Sequence, residues 1–267
     1  MATKAAPPDL VATTARQRGP GSGIQFVDLL FAADGSTTIL DAIARRSPNA
    51  PFAYVVTPNV DHIVRLQRSR SDLWPAYRGA WLTLCDSRIL AGLARKVDLA
   101  IPVVTGSDLT ADLLQNVVAP SDRVAIIGAS SSTVARITAR YDLRKVVHYN
   151  PPMGFIRDPF EVARVIHFLV EAKARYIFLA VGSPQQEILA RRAQLAGLTI
   201  GTGFCVGASL NFLSGEDGRA PAAMQRLSLE WLHRLISNPS RLWRRYLVDG
   251  PKVFRIARDW RQGRVAD

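Results

Sequence analysis

Short apolar runs alternate with helical stretches along almost the whole chain, and this alternation constrains the fold more than any other feature. Phe52–Val56, Trp81–Cys85, Arg123–Ile127, Lys145–Tyr149, Tyr176–Val181 and Leu198–Thr202 are runs rich in β-branched or aromatic residues. Each leads into turn residues, and then into apolar residues at helical spacing. Strands alternating with helices build βαβ units, whose right-handed crossovers lay the strands parallel and cover both faces of the sheet. The expected fold class is therefore α/β: a Rossmann-like, mainly parallel sheet with helices on both faces, plus a basic helical C-terminal appendage. Ile24–Leu30 reads as an edge strand, followed by a helix over Ser36–Arg46.

Composition sets the boundaries. Residues 1–23 are rich in Ala, Pro, Gly and Thr without an apolar segment, and read as a flexible tail. Residues 24–215 are expected to form the α/β domain. A shift in composition near Gly215–Pro221 opens a basic appendage, 216–267. From Arg219 onward eleven Lys and Arg face four Asp and Glu, so this part holds +7 of the net charge of +12. A basic segment of this kind suits an anionic membrane surface, a nucleic acid or a phosphorylated partner. The uncharged run Leu198–Gly215 is interrupted by glycines and polar residues, so it does not read as a membrane span. The two cysteines, Cys85 and Cys205, lie in apolar runs and read as buried thiols.

In a parallel sheet every strand-to-helix turn falls on the carboxyl edge, where open α/β sheets bind ligands. Those turns are polar here: Thr57-Pro58-Asn59, Asp86-Ser87-Arg88, Thr105-Gly106-Ser107, Gly128-Ala129-Ser130 and Gly182-Ser183-Pro184. Backbone N–H groups at helix starts, with hydroxyls beside them, suit phosphate. Neither G-x-G-x-x-G nor a Walker A motif is present, which disfavours ordinary dinucleotides and P-loop nucleotides. The four histidines are scattered, none with a metal-site partner at i+4. No cofactor and no metal site are expected.

Each turn also has a plain structural reading. Asp86 ends an apolar run and precedes a helix, so it is either an N-cap or a general base. Thr57 fits an N-cap with Pro58 at the first helical position. Ser183 with Gln186 has capping-box spacing. In the appendage Leu227, Trp231 and Leu235 recur at helical spacing among Arg226, Arg234, Arg241, Arg244 and Arg245. That pattern fits an interfacial helix on anionic lipid, a helix packed on its own domain, or a nucleic-acid contact.

Taken in order, Thr57-Pro58-Asn59, Asp86, Thr105-Gly106-Ser107-Asp108, Pro151-Pro152-Met153-Gly154-Phe155, Gly182-Ser183-Pro184-Gln185-Gln186-Glu187, Arg219-Ala220-Pro221 and Leu229–Leu235 resemble the WecG/TagA/CpsF family of bacterial glycosyltransferases. The resemblance covers about Ile24–Val248. It implies inverting, metal-independent transfer from a UDP-sugar, with N-acetylmannosamine or glucose as the sugar. The implied acceptor is a polyprenyl-diphosphate-linked glycan, in bacterial surface or exopolysaccharide synthesis, with the protein peripheral on the cytoplasmic face of the inner membrane. It implies Asp86 as base, with Thr57 and Gln186 in the active site. Asn59, Arg88, Gly106, Ser107, Gly128 and Ser183 complete the expected substrate site. Arg226, Trp231, Arg234, Arg241 and Arg244 are expected at the acceptor and membrane. Nucleic acid is not an expected partner, and self-association into a homo-oligomer is left open.

Two positions depart from the family pattern. Ser87-Arg88-Ile89 stands where members often have Gly-Ile-Gly, and Val103 where many have an arginine proposed to steady the diphosphate. Arg88 is the nearest substitute in sequence. The rival readings are a basic nucleic-acid-binding protein and another nucleotide-dependent enzyme, a hydrolase or dehydrogenase, on a Rossmann-like sheet.

Overall fold

The computed structural model describes residues 21, 23–215, 240 and 243–266. Its centre is a six-stranded sheet of β3 (Ala53–Val56), β4 (Leu82–Thr83), β5 (Arg123–Gly128), β6 (Lys145–Tyr149), β7 (Tyr176–Ala180) and β8 (Thr202–Cys205). The strand order is β4-β3-β8-β7-β5-β6, and every pairing is parallel. Successive residues of a strand face opposite sides of a sheet. Tyr54, Ala125, Ile127, Ile177, Leu179 and Cys205 accordingly enter one core, and Val55, Val124, Ile126, Tyr176, Phe178 and Phe204 the other.

Helices cover both sides. The second core is closed by α1 (Ser36–Arg45), α5 (Gly106–Asn116), α6 (Ser131–Arg140) and α9 (Ser209–Ser214). The first is closed by α2 (Val60–Arg68), α3 (Trp74–Arg78), α4 (Arg88–Arg95), α7 (Pro159–Ala172), α8 (Gln185–Ala196) and the C-terminal α10 (Lys252–Ala266). The apolar spacing explains the attachment. In α4, Leu90, Ala91, Leu93 and Ala94 form one buried stripe.

Two expected strands differ. Ile24–Leu30 is not an edge strand but a hairpin, β1 (Gly23–Phe26) with β2 (Leu29–Ala32), paired antiparallel outside the main sheet. Val27 and Asp28 both take positive φ, 43° and 64°, as a tight hairpin turn requires. The strand expected at Leu198–Thr202 lies later, at Thr202–Cys205. Gly203 hid it, because glycine lowers strand propensity. The glycine is needed there because the Phe52 ring would stand 2.6 Å from a Cβ at that position.

Part of the C-terminal region belongs to the first core. Val253, Ile256 and Ala257 are buried, α10 lies against α2 and α4, and Trp260 meets Phe26 of β1 edge-on with centroids 5.0 Å apart. Burying a side chain the size of Val253 or Ile256 contributes about 1.5–3 kcal/mol, so packing holds α10 to this core. Among the described residues no helix is long and apolar enough to cross a membrane.

Candidate active site

The carboxyl ends of β4, β3, β8, β7 and β5 are neighbours in the sheet. At about 4.8 Å per strand step they form an edge roughly 19 Å long. The chain leaves β5 toward β6 and leaves β7 toward β8, on its other side. This reversal makes a crevice between β5 and β7, the place where open α/β sheets take ligands. Gly128 stands at the crevice with φ 87°, and a Cβ there would lie 2.8 Å from the Ala180 carbonyl carbon of β7. Only glycine fits that turn. Ser130 then caps α6 through the Thr133 N–H.

Asp86 follows β4 at the other end of the edge and is half-buried. The helix cap is its neighbour: the Ser87 hydroxyl accepts the Leu90 N–H at 3.2 Å. The N-cap reading of Asp86 is therefore corrected. The backbone around Asp86 is fixed on several sides. Its N–H donates to the Pro58 carbonyl at 3.1 Å, and Val104 N–H donates to the Cys85 carbonyl at 3.0 Å. The Cys85 thiol donates to the Ser87 carbonyl at 3.3 Å. Burial pushes that thiol up to about 12, and the neighbouring Asp86 charge pushes in the same direction. Cys85 is thus a neutral packing group, not a nucleophile.

Thr57 is also relieved of capping. The cap of α2 is Asn59, whose side-chain oxygen accepts from the Asp61 and His62 N–H groups, and α2 begins at Val60. Thr57 is buried instead, and its hydroxyl donates to the Cys205 carbonyl at 3.4 Å. Gly106 at the start of α5 comes so close that a Cβ there would stand 3.1 Å from Thr57 Oγ1 and 3.6 Å from Ser209 Oγ. Ser107 is half-buried beside it, and Thr105 caps α5.

The capping-box reading of Ser183 with Gln186 is corrected as well. α8 starts at Gln185 after Pro184, with no side-chain cap. Gln186 is 3% exposed. Its Oε1 accepts the Gly207 N–H at 2.9 Å, and its Nε2 donates to Glu187 Oε1 at 2.9 Å. Thr57 and Gln186, far apart in sequence, therefore both hold the turn that follows β8. Its signal was present in Cys205-Val206-Gly207-Ala208-Ser209, which stands at a strand end like the other motifs.

Val103 lies beside the acid, since Val103 and Cys85 form a parallel bridge. Arg88 is exposed in the first turn of α4, so the same loop cluster carries a cation. Among the described residues, no three His, Cys, Asp or Glu side chains gather as a metal site would need. Arg226, Trp231, Arg234 and Arg241 lie outside the described residues, as does the side chain of Arg244.

Over 149 aligned residues the chain is 31% identical to the N-acetylglucosaminyldiphosphoundecaprenol N-acetyl-beta-D-mannosaminyltransferase of Bacillus spizizenii. It is 32% identical over 149 residues to the protein of the same name from Bacillus subtilis. Each alignment takes in 54% of this chain and 55% of the relative, so the chain spans about half the length of the curated relatives it matches. The match to a family as a whole is longer, covering residues 23–266. On that match the chain belongs to the Glycosyl transferase WecG/TagA/CpsF family.

Proposed function

We propose that this protein transfers a sugar, of the N-acetylmannosamine type or glucose, from a UDP-sugar to a polyprenyl-diphosphate-linked glycan, with inversion and without a metal. Bacterial surface or exopolysaccharide synthesis is the setting. One observation carries the reading. Asp86 stands at a strand's carboxyl end, the next helix is capped by Ser87, and the Asp86 N–H is bonded to the loop that bears Thr57.

In the proposed reaction the acceptor hydroxyl approaches the anomeric carbon from the face opposite UDP. Asp86 takes the hydroxyl proton as the oxygen attacks. The new glycosidic bond forms as the bond from anomeric carbon to UDP oxygen breaks, which inverts the centre. The bonding electrons leave with UDP, and Asp86 later gives its proton to solvent. The β5–β7 crevice and the helix starts receive the nucleotide, through Gly128, Ser183, Gly106 and Ser107. Thr57, Asn59 and Gln186 line the middle of the edge. Arg88 supplies positive charge toward the leaving diphosphate in place of the arginine replaced by Val103. Arg234, Arg241 and Arg244 hold the acceptor diphosphate. These arginines, with Arg226 and Trp231, also contact anionic lipid on the cytoplasmic face of the inner membrane.

The deciding experiment is transfer by purified wild type and Asp86→Asn, with UDP-sugars and a polyprenyl-diphosphate-linked acceptor, in buffer with and without EDTA. Wild-type turnover that survives EDTA and is largely lost in Asp86→Asn supports the reading. Near-wild-type turnover by the variant refutes the base, and loss of wild-type turnover in EDTA refutes metal independence.

A further inference from the structure

Behind the carboxyl edge lies a carboxylic acid that the proposed reaction does not use. Glu187 is 1% exposed, and among the described residues no basic side chain forms an ion pair with it. Arg65, the cation that acts on it from α2, is bound to Asp61 at 3.0 Å. Arg191 of α8 is bound to Gln194 at 2.6 Å. Among the described residues, the other groups that act on it, apart from Gln186, are hydroxyls and a thiol. They are Tyr54 of β3, Tyr77 of α3 with the His62 ring against it, the Cys205 thiol of β8, and Ser183.

Its two oxygens have different surroundings. Oε1 accepts from Gln186 Nε2 at 2.9 Å. Oε2 is buried, as are Ser183 Oγ and Tyr77 Oη, and among the described residues none of the three makes a hydrogen bond. Ser183 nevertheless acts on both Tyr77 and Glu187, so the three polar atoms share one buried space. An ionised carboxylate there would be costly, whereas a protonated one offers an O–H to the hydroxyls and keeps an acceptor for Gln186. Burial accordingly raises the Glu187 carboxyl above its ordinary value, and the nearby Gln186 carboxamide and Ser183 hydroxyl only partly oppose this.

A carboxamide can sit either way round, and its orientation follows from its neighbours. The Gly207 N–H requires an oxygen, and Glu187 Oε1 requires an N–H. We propose that Glu187 is a positioning residue that orients the Gln186 carboxamide, so that Gln186 Oε1 holds the Gly207 N–H and sets the turn after β8 beside Thr57. Only the ligand arm of its test rests on the UDP-sugar reading.

The test compares full-length wild type with Glu187→Gln and Glu187→Met. Glutamine reproduces a neutral acid, offering an oxygen to Gln186 and an N–H to the hydroxyls. Methionine keeps the volume and removes both, and it is the substitution an apolar surrounding best tolerates. Three readouts are taken: hydrogen exchange at the Gly207 amide, the shift in Tm caused by UDP, and Tm against pH. Gly207 is expected to exchange about tenfold to a hundredfold faster in Glu187→Met, the loss of one buried hydrogen bond, while Glu187→Gln stays close to wild type. The UDP shift should follow the same order.

The pH profile separates positioning from simple packing. With its pKa raised on folding from the ordinary 4.5, Glu187 contributes stability that is fully present below that value and is lost as pH rises through the folded-state pKa. Wild-type Tm should therefore fall with pH more steeply than that of Glu187→Gln. Unchanged Gly207 exchange in Glu187→Met, equal loss in both variants, or a pH slope that survives in Glu187→Gln overturns the proposal. If UDP gives no shift in wild type, the nucleotide-sugar reading fails, and the exchange and pH results still decide the role of Glu187.

Discussion

The backbone N–H of Asp86 donates to the carbonyl of Pro58 at 3.1 Å. This bond joins the acid at the end of β4 to the loop after β3, whose Thr57 reaches the end of β8. Three adjacent strand ends are thereby linked into one surface, by a backbone bond at Asp86 and by the Thr57 hydroxyl. The Asp86 side chain can be exchanged without releasing the loop that carries it.

Asp86→Asn is the first case. The substitution keeps the N–H that bonds Pro58 and leaves the Ser87 cap intact. Thermal unfolding should be within about 0.5 kcal/mol of wild type. Turnover should drop about a hundredfold or more, the usual contribution of general base catalysis. Initial rates at saturating donor and acceptor measure it.

Gly128→Ala tests the crevice. Alanine would adopt φ 87° with strain, and its Cβ would press on the Ala180 backbone at 2.8 Å. A loss of about 1–3 kcal/mol is expected in denaturant unfolding. Gly106→Ala should behave differently. Its Cβ would crowd Thr57 Oγ1 at 3.1 Å, so the Tm shift caused by UDP should shrink while apo stability changes little.

The cysteines give a chemical test. Cys85 titrates at about 12 because it is buried, and burial raises Cys205 as well. Near pH 8 the Cys85 thiolate is a fraction on the order of one in ten thousand. Iodoacetamide at that pH should leave both residues unmodified in folded protein and label both in urea, as read by peptide mass spectrometry. Rapid labelling of folded protein would contradict the packing described for β4 and β8.

Membrane contact is tested by charge reversal. Each basic residue near an anionic surface contributes about 1 kcal/mol. Arg241→Glu with Arg244→Glu should therefore weaken flotation with phosphatidylglycerol vesicles at least about thirtyfold, and leave Tm nearly unchanged. Unaltered flotation would remove these arginines from the membrane contact.

The sheet was legible in the sequence because each strand carried its own apolar signal and each helix its own spacing. Ambiguity arose where neighbouring polar residues competed for one local task. Asp86 and Ser87 both suit an N-cap, as do Thr57 and Asn59, and propensity cannot rank them. The backbone decided, giving the caps to Ser87 and Asn59. The Gln186 contact to Gly207 was out of reach because it joins two loops across β7 and β8. Glu187 was hidden by its type, since a glutamate at a helix start ordinarily faces solvent. The β1–β2 hairpin was missed because Val27, a β-branched residue, takes the positive φ of its turn.

The packing of Trp260 on Phe26 changes the character of the basic segment before it. The helices that flank it in sequence, α9 and α10, pack on the two faces of one sheet. Deleting everything after residue 218 would also strip Val253, Ile256 and Ala257 from the core, so such a deletion cannot isolate lipid binding. The attachment also has a mechanical side. α10 rests on α2 and α4, and those helices begin at the caps Asn59 and Ser87, next to Thr57 and Asp86. A force exerted on the segment at a bilayer would therefore bear on the two helices that seat the acid and the threonine.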